Sequence, residues 1–184
     1  MRYLAALIAL LCIACSTPAH GPSAKPPPSR APTAGTPAET QAVQHEVERM
    51  IRAVYSGDVD LVVRSTYPGV IAHMGGPDVA RQKLEGMVAQ VRKSNMTLES
   101  FSFPEHPDFF TAAGTRYAFV PTLSIVAVNG KRFEVLNFQL GVLEAGATRW
   151  TYVDGSRLTP ENVHQILPTF PADRAFPPVH RKML

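Results

Sequence analysis

The chain has 184 residues and a formal net charge of only +3, with its basic residues scattered along the sequence. A nucleic-acid-binding surface needs basic side chains concentrated in a patch or stripe, so the composition does not favour a nucleic acid as partner. Both cysteines, Cys12 and Cys15, lie close to the N-terminus. The rest of the chain therefore has no disulfide, no thiolate metal site and no cysteine nucleophile.

The first residues have the charge order of a secretory signal. Arg2 supplies a positive charge, and residues 3–14 carry none. This apolar run is too short for a membrane-spanning helix, which needs about 20 apolar residues, but its length and flanks are typical of a signal peptide. We therefore expect residues 1–14 to be removed on export.

The run from Cys12 to Ser16 resembles the lipobox of bacterial lipoproteins, in which a small residue precedes a cysteine. Ala14 and Cys15 fit that pattern, whereas Cys12 stands where leucine is usual. The resemblance implies that Cys15 is diacylated and anchors the protein in the cell envelope. Ser16, which is not Asp, resembles the outer-membrane sorting pattern and implies the periplasmic side of that membrane in a Gram-negative cell. Ordinary cleavage after Ala19, giving a secreted soluble protein, is the alternative.

Residues 15–37 form a proline-rich segment behind the lipidated cysteine. Prolines alternate there with Ser, Thr, Ala and Gly, a composition that buries little apolar surface and favours an extended, disordered linker. We expect one folded domain at residues 38–167. Residues 168–184 form a second proline-rich stretch, a C-terminal tail that we expect to be partly ordered against the domain, with residues 181–184 frayed.

Helical patterns dominate the first half of the domain. Thr36 and Pro37 are typical of an N-cap and a first helical position. Apolar residues then recur at helical spacing from Val43 to Val54. The further elements predicted here are a short helix opened by Asp58, a short strand at residues 70–72, and a helix after the Gly75-Gly76 turn.

The second half of the domain alternates as β-strands. Asn129-Gly130 is typical of a two-residue hairpin turn, and Pro121 predicts an edge or a bulge in the strand before it. Residues 104–114 are predicted to form a loop. The predicted strands are residues 96–101, 117–128, 133–143 and 150–153, and a short helix is predicted at residues 159–167.

Helices followed by an antiparallel meander predict an α+β layer fold. The helix end at Gly57-Asp58-Val59-Asp60, the Gly75-Gly76 turn, and the meander closing on Trp150-Thr151-Tyr152-Val153 resemble the NTF2-like superfamily, also called SnoaL-like or cystatin-like cone folds. The resemblance covers residues 38–154 and implies a curved antiparallel sheet around the N-terminal helices, with an apolar pocket inside the cone. Enzymes, scaffolds and binding modules share this fold, so it does not assign a function.

The ketosteroid-isomerase branch of this superfamily uses a tyrosine on the first helix and two acids. The resemblance places these roles near Met50, near His73 or Met74, and near Asn137. Met50 has no hydrogen-bond donor and Asn137 is not an acid, so the sequence departs from the isomerase pattern. His73 is a candidate general base, because imidazoles exchange protons near neutral pH. The alternative is a histidine that only hydrogen-bonds a loop carbonyl.

Asp154 is the second candidate base, since it follows the last predicted strand at the mouth of the expected cone. Asp154-Gly155-Ser156 is also typical of a turn in which the aspartate bonds its own backbone. The histidines form no metal-ligand spacing with other His, Asp or Glu residues, and no Gly-x-Ser-x-Gly nucleophile motif occurs. We therefore expect no metal ion and no cofactor.

Three polar-tipped residues of the predicted sheet are candidate ligand-binding groups. Tyr117, Asn137 and Trp150 either orient a ligand in an otherwise apolar cavity or belong to the ordinary core. The leading hypothesis is a non-catalytic, lipid-anchored envelope protein that binds a small apolar ligand or a protein partner, with a homodimer through the sheet left open. The alternative is a SnoaL-like isomerase or cyclase-type enzyme that uses His73 or Asp154 as general base.

Overall fold

The computed structural model describes residues 35–184; the predicted signal peptide, Cys15 and most of the predicted linker lie outside the described residues. Helices precede an antiparallel sheet, which confirms the predicted α+β class. None of the helices within residues 35–184 is long and apolar enough to cross a membrane. The elements are α1 (Pro37–Ser56), α2 (Val59–Ser65), α3 (Pro68–His73), α4 (Pro77–Lys93), β1 (Thr97–Ser102), β2 (Asp108–Ala112), β3 (Thr115–Val128), β4 (Lys131–Leu143), β5 (Thr151–Asp154), a 3-10 turn (Gly155–Arg157), α5 (Val163–Ile166) and β6 (His180–Met183).

Helix α1 begins where the sequence predicts. The Thr36 hydroxyl accepts a hydrogen bond from the Glu39 N–H at 3.1 Å, and Pro37 occupies the first turn. The helix ends at Gly57, whose φ is 86° and whose N–H donates to Ala53 O at 2.8 Å. Glycine is favoured at such a left-handed C-cap because it has no Cβ. The buried stripe of α1 consists of Val43, Val47, Met50 and Ala53.

The predicted strand at residues 70–72 is wrong, because these residues lie in helix α3. The Tyr67 N–H donates to Tyr152 O of β5 at 2.9 Å, and helix α3 begins at the next residue. Pro68 then occupies the first turn of α3, where a residue without an N–H loses no helical hydrogen bond. The local preference of β-branched residues for strands is overridden by this start signal, and Val70 packs against the core from its helical position.

The sheet is built around the long β3–β4 hairpin. Val128 pairs with Lys131 across Asn129 and Gly130, whose φ angles are 50° and 75°. Positive φ at both central residues is the geometry of a type I′ turn, so the hairpin prediction is confirmed. On one side β1 and β2 both pair with β3, and on the other side β5 and β6 both pair with β4; every strand pair is antiparallel.

Pro121 lies at a break in the sheet, as its residue type predicts. Residues 115–119 of β3 pair with β2, and residues 123–127 pair with β1, so the proline falls between the two neighbours. It stays in register with Phe138 of β4. A residue without an N–H is tolerated inside a long strand where the strand has a local edge.

Two strands lie where none was predicted. β2 occupies part of the predicted loop at residues 104–114 and turns into β3 at Ala113 and Gly114, whose φ angles are 48° and 80°. β6 includes residues 181–183, which were expected to fray, and it pairs with β4 between Phe133 and Leu136. Both strands are short and have weak patterns of their own. They form because a neighbouring strand supplies their hydrogen-bond partners.

Each face of the sheet carries one apolar cluster. On the first face, Val43 and Val47 of α1 share a cluster with Val120 of β3. On the second face, Phe170 from the segment after β5 shares a cluster with Leu140 of β4. Phe170 is 3% exposed. The proline-rich tail is therefore partly ordered against the domain, as predicted.

Candidate functional site

The two candidate bases, His73 and Asp154, are both exposed, and no hydrogen bond joins them in the described part of the chain. His73 is the last residue of α3. Asp154 ends β5, where its Oδ1 accepts from the Ser156 N–H at 3.0 Å and from the Ser156 hydroxyl at 2.9 Å. These bonds cap the 3-10 turn Gly155–Arg157. Asp154 therefore has the geometry of an aspartate turn.

The three candidate ligand-binding residues lie at different places. Tyr117 is 1% exposed and stacks on the Phe110 ring, with 5.1 Å between ring centroids, on the sheet face that the C-terminal segment covers. Asn137 donates from Nδ2 to Asp154 Oδ1 at 2.9 Å. Trp150 belongs to the cluster on the opposite face. The fold thus joins Asn137 to Asp154 but separates Tyr117 from Trp150.

A pocket of about 150 Å³ opens beside Trp150, among residues of α1, α2 and the loop before β5. Three of its seven lining residues are arginines, and its one acidic residue is Glu46. We call this site the arginine pocket. It is lined by Glu46, Arg49, Leu61, Arg64, Ser65, Arg149 and Trp150.

Contacts between distant segments assemble the arginine pocket. Glu46 and Arg49 are three residues apart on α1, so their side chains share one face of that helix. The end of α2 is tied to β5 by the isolated bridge between Thr66 and Tyr152. This connection places Arg64, in the last turn of α2, beside the loop that enters β5.

Gly141 of β4 makes room for Trp150, the aromatic residue that lines the pocket, and for the neighbouring Tyr152. A Cβ at this position would lie 3.1 Å from Cε3 of Trp150 and 3.3 Å from Cε1 of Tyr152. These distances are shorter than ordinary van der Waals contact, which is about 3.5–4.0 Å between carbon atoms. The absence of a side chain at Gly141 therefore lets both rings pack closely against β4.

A buried tyrosine orients the carboxylate of the pocket. The Tyr152 hydroxyl donates to Glu46 Oε2 at 2.9 Å. Burial raises the pKa of Tyr152, and the adjacent Glu46 carboxylate raises it further. Tyr152 therefore remains a neutral hydrogen-bond donor at physiological pH and fixes one oxygen of Glu46.

The arginines of the pocket have no carboxylate partner within residues 35–184. Arg49, Arg64 and Arg149 are exposed and make no ion pair there. The pocket therefore combines several guanidinium groups that are free to bind an anion. The arginines that do make ion pairs in the described part of the chain are Arg52, Arg81, Arg116, Arg132 and Arg174.

Sequence reasoning identified Trp150 but not the charged residues around it. Glu46 and Arg49 belong to the polar side of a predicted amphipathic helix, which is usually a solvated surface. Arg64 and Arg149 lie outside any recognisable motif. The only local signal is the Arg149-Trp150 pair, and a single dipeptide is too common to indicate a site.

Among residues 35–184, no group of three or more His, Cys, Asp or Glu side chains is arranged to hold a metal ion. Comparison of the chain with protein-family models, with curated proteins and with solved structures finds no match. The chemistry of the arginine pocket is therefore the structural basis for a function.

Proposed function

We propose that this protein is a non-catalytic binding module whose arginine pocket takes an anionic group of its ligand. The observation that carries this proposal is the convergence of three arginines without a carboxylate partner on one pocket beside Trp150. Guanidinium groups present forked donors that match the oxygens of carboxylates and phosphates, and they keep their charge at any physiological pH. An arginine cluster is accordingly a common device for recognising acidic or phosphorylated groups.

The size of the pocket limits what enters it. Pockets that enclose a whole small molecule have volumes of about 300–1,000 Å³, whereas the arginine pocket measures about 150 Å³. It accepts one charged group, while the rest of the ligand stays outside. This geometry supports a partner or a larger molecule that presents an anionic group, in preference to a small apolar ligand enclosed by the domain.

We further propose that the domain is an NTF2-like cone. The packing of α1 against one sheet face and the order of helices before an antiparallel meander support this assignment. An experimentally determined structure of the full chain tests it. The expected result is a sheet that curls around α1, and a flat sheet would contradict the cone.

The N-terminal sequence supports a lipid anchor at Cys15 in the cell envelope. Acylation provides an attachment that the short apolar run before it does not provide by itself. Incorporation of a fatty-acid probe is expected in the wild type and not in Cys15→Ala. Equal labelling of the two proteins would rule out acylation at Cys15 and favour the secreted form.

Binding at the arginine pocket is measurable because Trp150 is the single tryptophan of the chain. Titration with acetate or inorganic phosphate at low ionic strength is expected to give a saturable change in tryptophan fluorescence. Low ionic strength matters because salt screens exposed charges. Loss of one charge-assisted hydrogen bond weakens binding by about 1.5–3 kcal/mol, so Arg64→Gln is expected to lower the affinity by about ten- to a hundredfold.

The matched control is Arg157→Gln. Arg157 is exposed, lies in the 3-10 turn and does not line the pocket. Its replacement removes the same charge from the protein and is expected to leave the affinity unchanged. If no anion changes the fluorescence of the wild type, or if Arg157→Gln weakens binding as much as Arg64→Gln does, the proposed function is wrong.

A further inference from the structure

We infer that the anionic group taken by the arginine pocket is a phosphate monoester. This inference rests on the proposed function, since it names the chemistry of the ligand at the same site. Its support comes from the formal charge of the pocket, the number of donors that line it, and the orientation of its one carboxylate.

The charge of the pocket matches a doubly charged group. Among the residues that line the pocket, Arg49, Arg64 and Arg149 outnumber the single carboxylate, that of Glu46, by two formal positive charges. Outside the lining, Asp60 forms an ion pair with Arg81, and its pKa is lowered chiefly by Arg81 and to a smaller extent by Arg64. A phosphate monoester carries about −1.5 to −2 near pH 7. A carboxylate or a sulfate monoester carries a single negative charge and leaves one positive charge of the pocket unbalanced.

The donors of the pocket also match a group with several oxygens. A phosphate monoester offers three strong acceptor oxygens, whereas a carboxylate offers two. Arg49, Arg64, Arg149 and Ser65 line the pocket, and each guanidinium carries N–H donors in a fixed fork. The lining therefore offers enough donors for all three phosphate oxygens, and a carboxylate would leave more of them unused.

Glu46 is hydrogen-bonded by Tyr152 and forms no ion pair with the arginines of the pocket in the described part of the chain. Its Oε2 accepts from the Tyr152 hydroxyl at 2.9 Å, and Glu46 makes no ion pair with Arg49 on the same helix face in the described part of the chain. The three guanidinium groups therefore remain available to the ligand. Glu46 also limits the excess charge of the pocket to that of one phosphate monoester.

Three methyl-bearing anions test the ligand class, because they differ only in the charged group. Methyl phosphate, methyl sulfate and acetate are titrated into the full chain, reconstituted in phosphatidylcholine vesicles, while the Trp150 fluorescence is recorded. Methyl phosphate is expected to bind at least about tenfold more tightly than the other two, since each further charge-assisted hydrogen bond contributes about that factor. Arg64→Gln and Arg149→Gln are expected to abolish this preference, and Arg157→Gln to keep it.

The pH dependence provides a second readout. The second ionisation of a phosphate monoester has a pKa of about 6, so the affinity for methyl phosphate is expected to rise about tenfold between about pH 5 and about pH 7.5. The charged groups that line the pocket are the three arginines, which stay charged, and Glu46; outside the lining, Asp60 interacts chiefly with Arg81 and to a smaller extent with Arg64. An affinity for methyl phosphate that falls over this range contradicts the inference.

A phosphate monoester reaches the pocket either on a soluble molecule or on a lipid headgroup, and vesicle composition distinguishes these sources. Vesicles that contain phosphatidic acid present the monoester on the membrane, and vesicles that contain phosphatidylglycerol present a diester. A fluorescence change on phosphatidic acid alone, absent in Arg64→Gln, supports the headgroup source. A response to methyl phosphate on phosphatidylcholine vesicles, with none to phosphatidic acid, supports a soluble source.

The outcomes separate this inference from the proposed function. If acetate or methyl sulfate binds as tightly as methyl phosphate, the ligand class is wrong and the proposed function stands. If none of the three anions and neither lipid produces a response, both are wrong.

Discussion

Phe170 holds the C-terminal segment against the sheet, and its replacement by alanine tests that packing directly. Its side chain is 3% exposed. The centroid of its ring lies 5.9 Å from that of Phe110, 5.6 Å from that of Tyr117 and 5.5 Å from that of Phe176. The residue therefore joins the segment after β5 to strands β2 and β3.

Phe170→Ala removes a ring from a closed aromatic cluster and leaves a cavity that the neighbouring rings fill only in part. Such a change lowers the unfolding free energy by about 3–5 kcal/mol. A domain is stable by only about 5–15 kcal/mol, so the variant loses a large share of its stability. For a domain of this size, the expected fall in melting temperature is roughly 6–20 °C.

Urea unfolding of the wild type and the variant, followed by tryptophan fluorescence, measures this difference. The control is Val179→Ala, because Val179 belongs to the same tail but is 45% exposed, and its change is expected to stay within about 0.5 kcal/mol. If Phe170→Ala lowers the unfolding free energy no more than Val179→Ala does, the segment after β5 does not pack on the sheet. The apolar cluster described on the second sheet face would then be wrong.

Three further predictions concern two glycines of different backbone geometry, one ion pair and the wall of the pocket. Gly130→Ala is expected to lower the unfolding free energy by about 1–2 kcal/mol, because φ is 75° at Gly130. Gly86→Ala inside α4 is expected to raise the unfolding free energy by about 0.5–1 kcal/mol. Urea unfolding measures both changes, and two changes of the same sign would contradict the turn geometry. The hydrogen-bonded Arg116 guanidinium lowers the pKa of Glu39 below its ordinary value of 4.5, and a lowered folded-state pKa contributes stability that is lost as the pH falls through it. The stability difference between wild type and Arg116→Gln should therefore shrink from about pH 7 to about pH 3 in urea titrations, and a constant difference would refute this. Gly141→Ala places a Cβ 3.1 Å from the tryptophan ring, so it is expected to cost about 1–3 kcal/mol and to weaken anion binding; unchanged affinity would show that the ring position does not matter for the pocket.

The elements that the sequence predicted correctly have their causes within a few residues. The Thr36 hydroxyl caps a helix through a residue three positions away, and Asn129 and Gly130 close a hairpin through their own φ angles. Such short-range causes act in the same way in any tertiary context. They can therefore be inferred before the fold is known.

The elements that the sequence missed depend on partners far along the chain. Residues 70–72 look like a strand by residue type, but the preceding Tyr67 is bonded to Tyr152 and the helix starts immediately after it. β2 and β6 are short strands that form against β3 and β4. Local preference is a weak predictor where a distant strand supplies the hydrogen bonds.

The arginine pocket shows the same limit at the level of function. Arg116 and Arg64 are the same residue type, yet Arg116 forms an ion pair with Glu39. Arg64 makes no ion pair within the described residues. Whether an arginine is available to a ligand is thus decided by the fold, which either provides a carboxylate beside it or does not. The bridge between Thr66 and Tyr152 brings the end of α2 to β5, and residues that looked like ordinary surface charges thereby line one pocket. Arg64→Gln and its control Arg157→Gln remove the same charge from different places in the fold. A difference in anion affinity between the two variants therefore reports the position of the arginine and not its residue type.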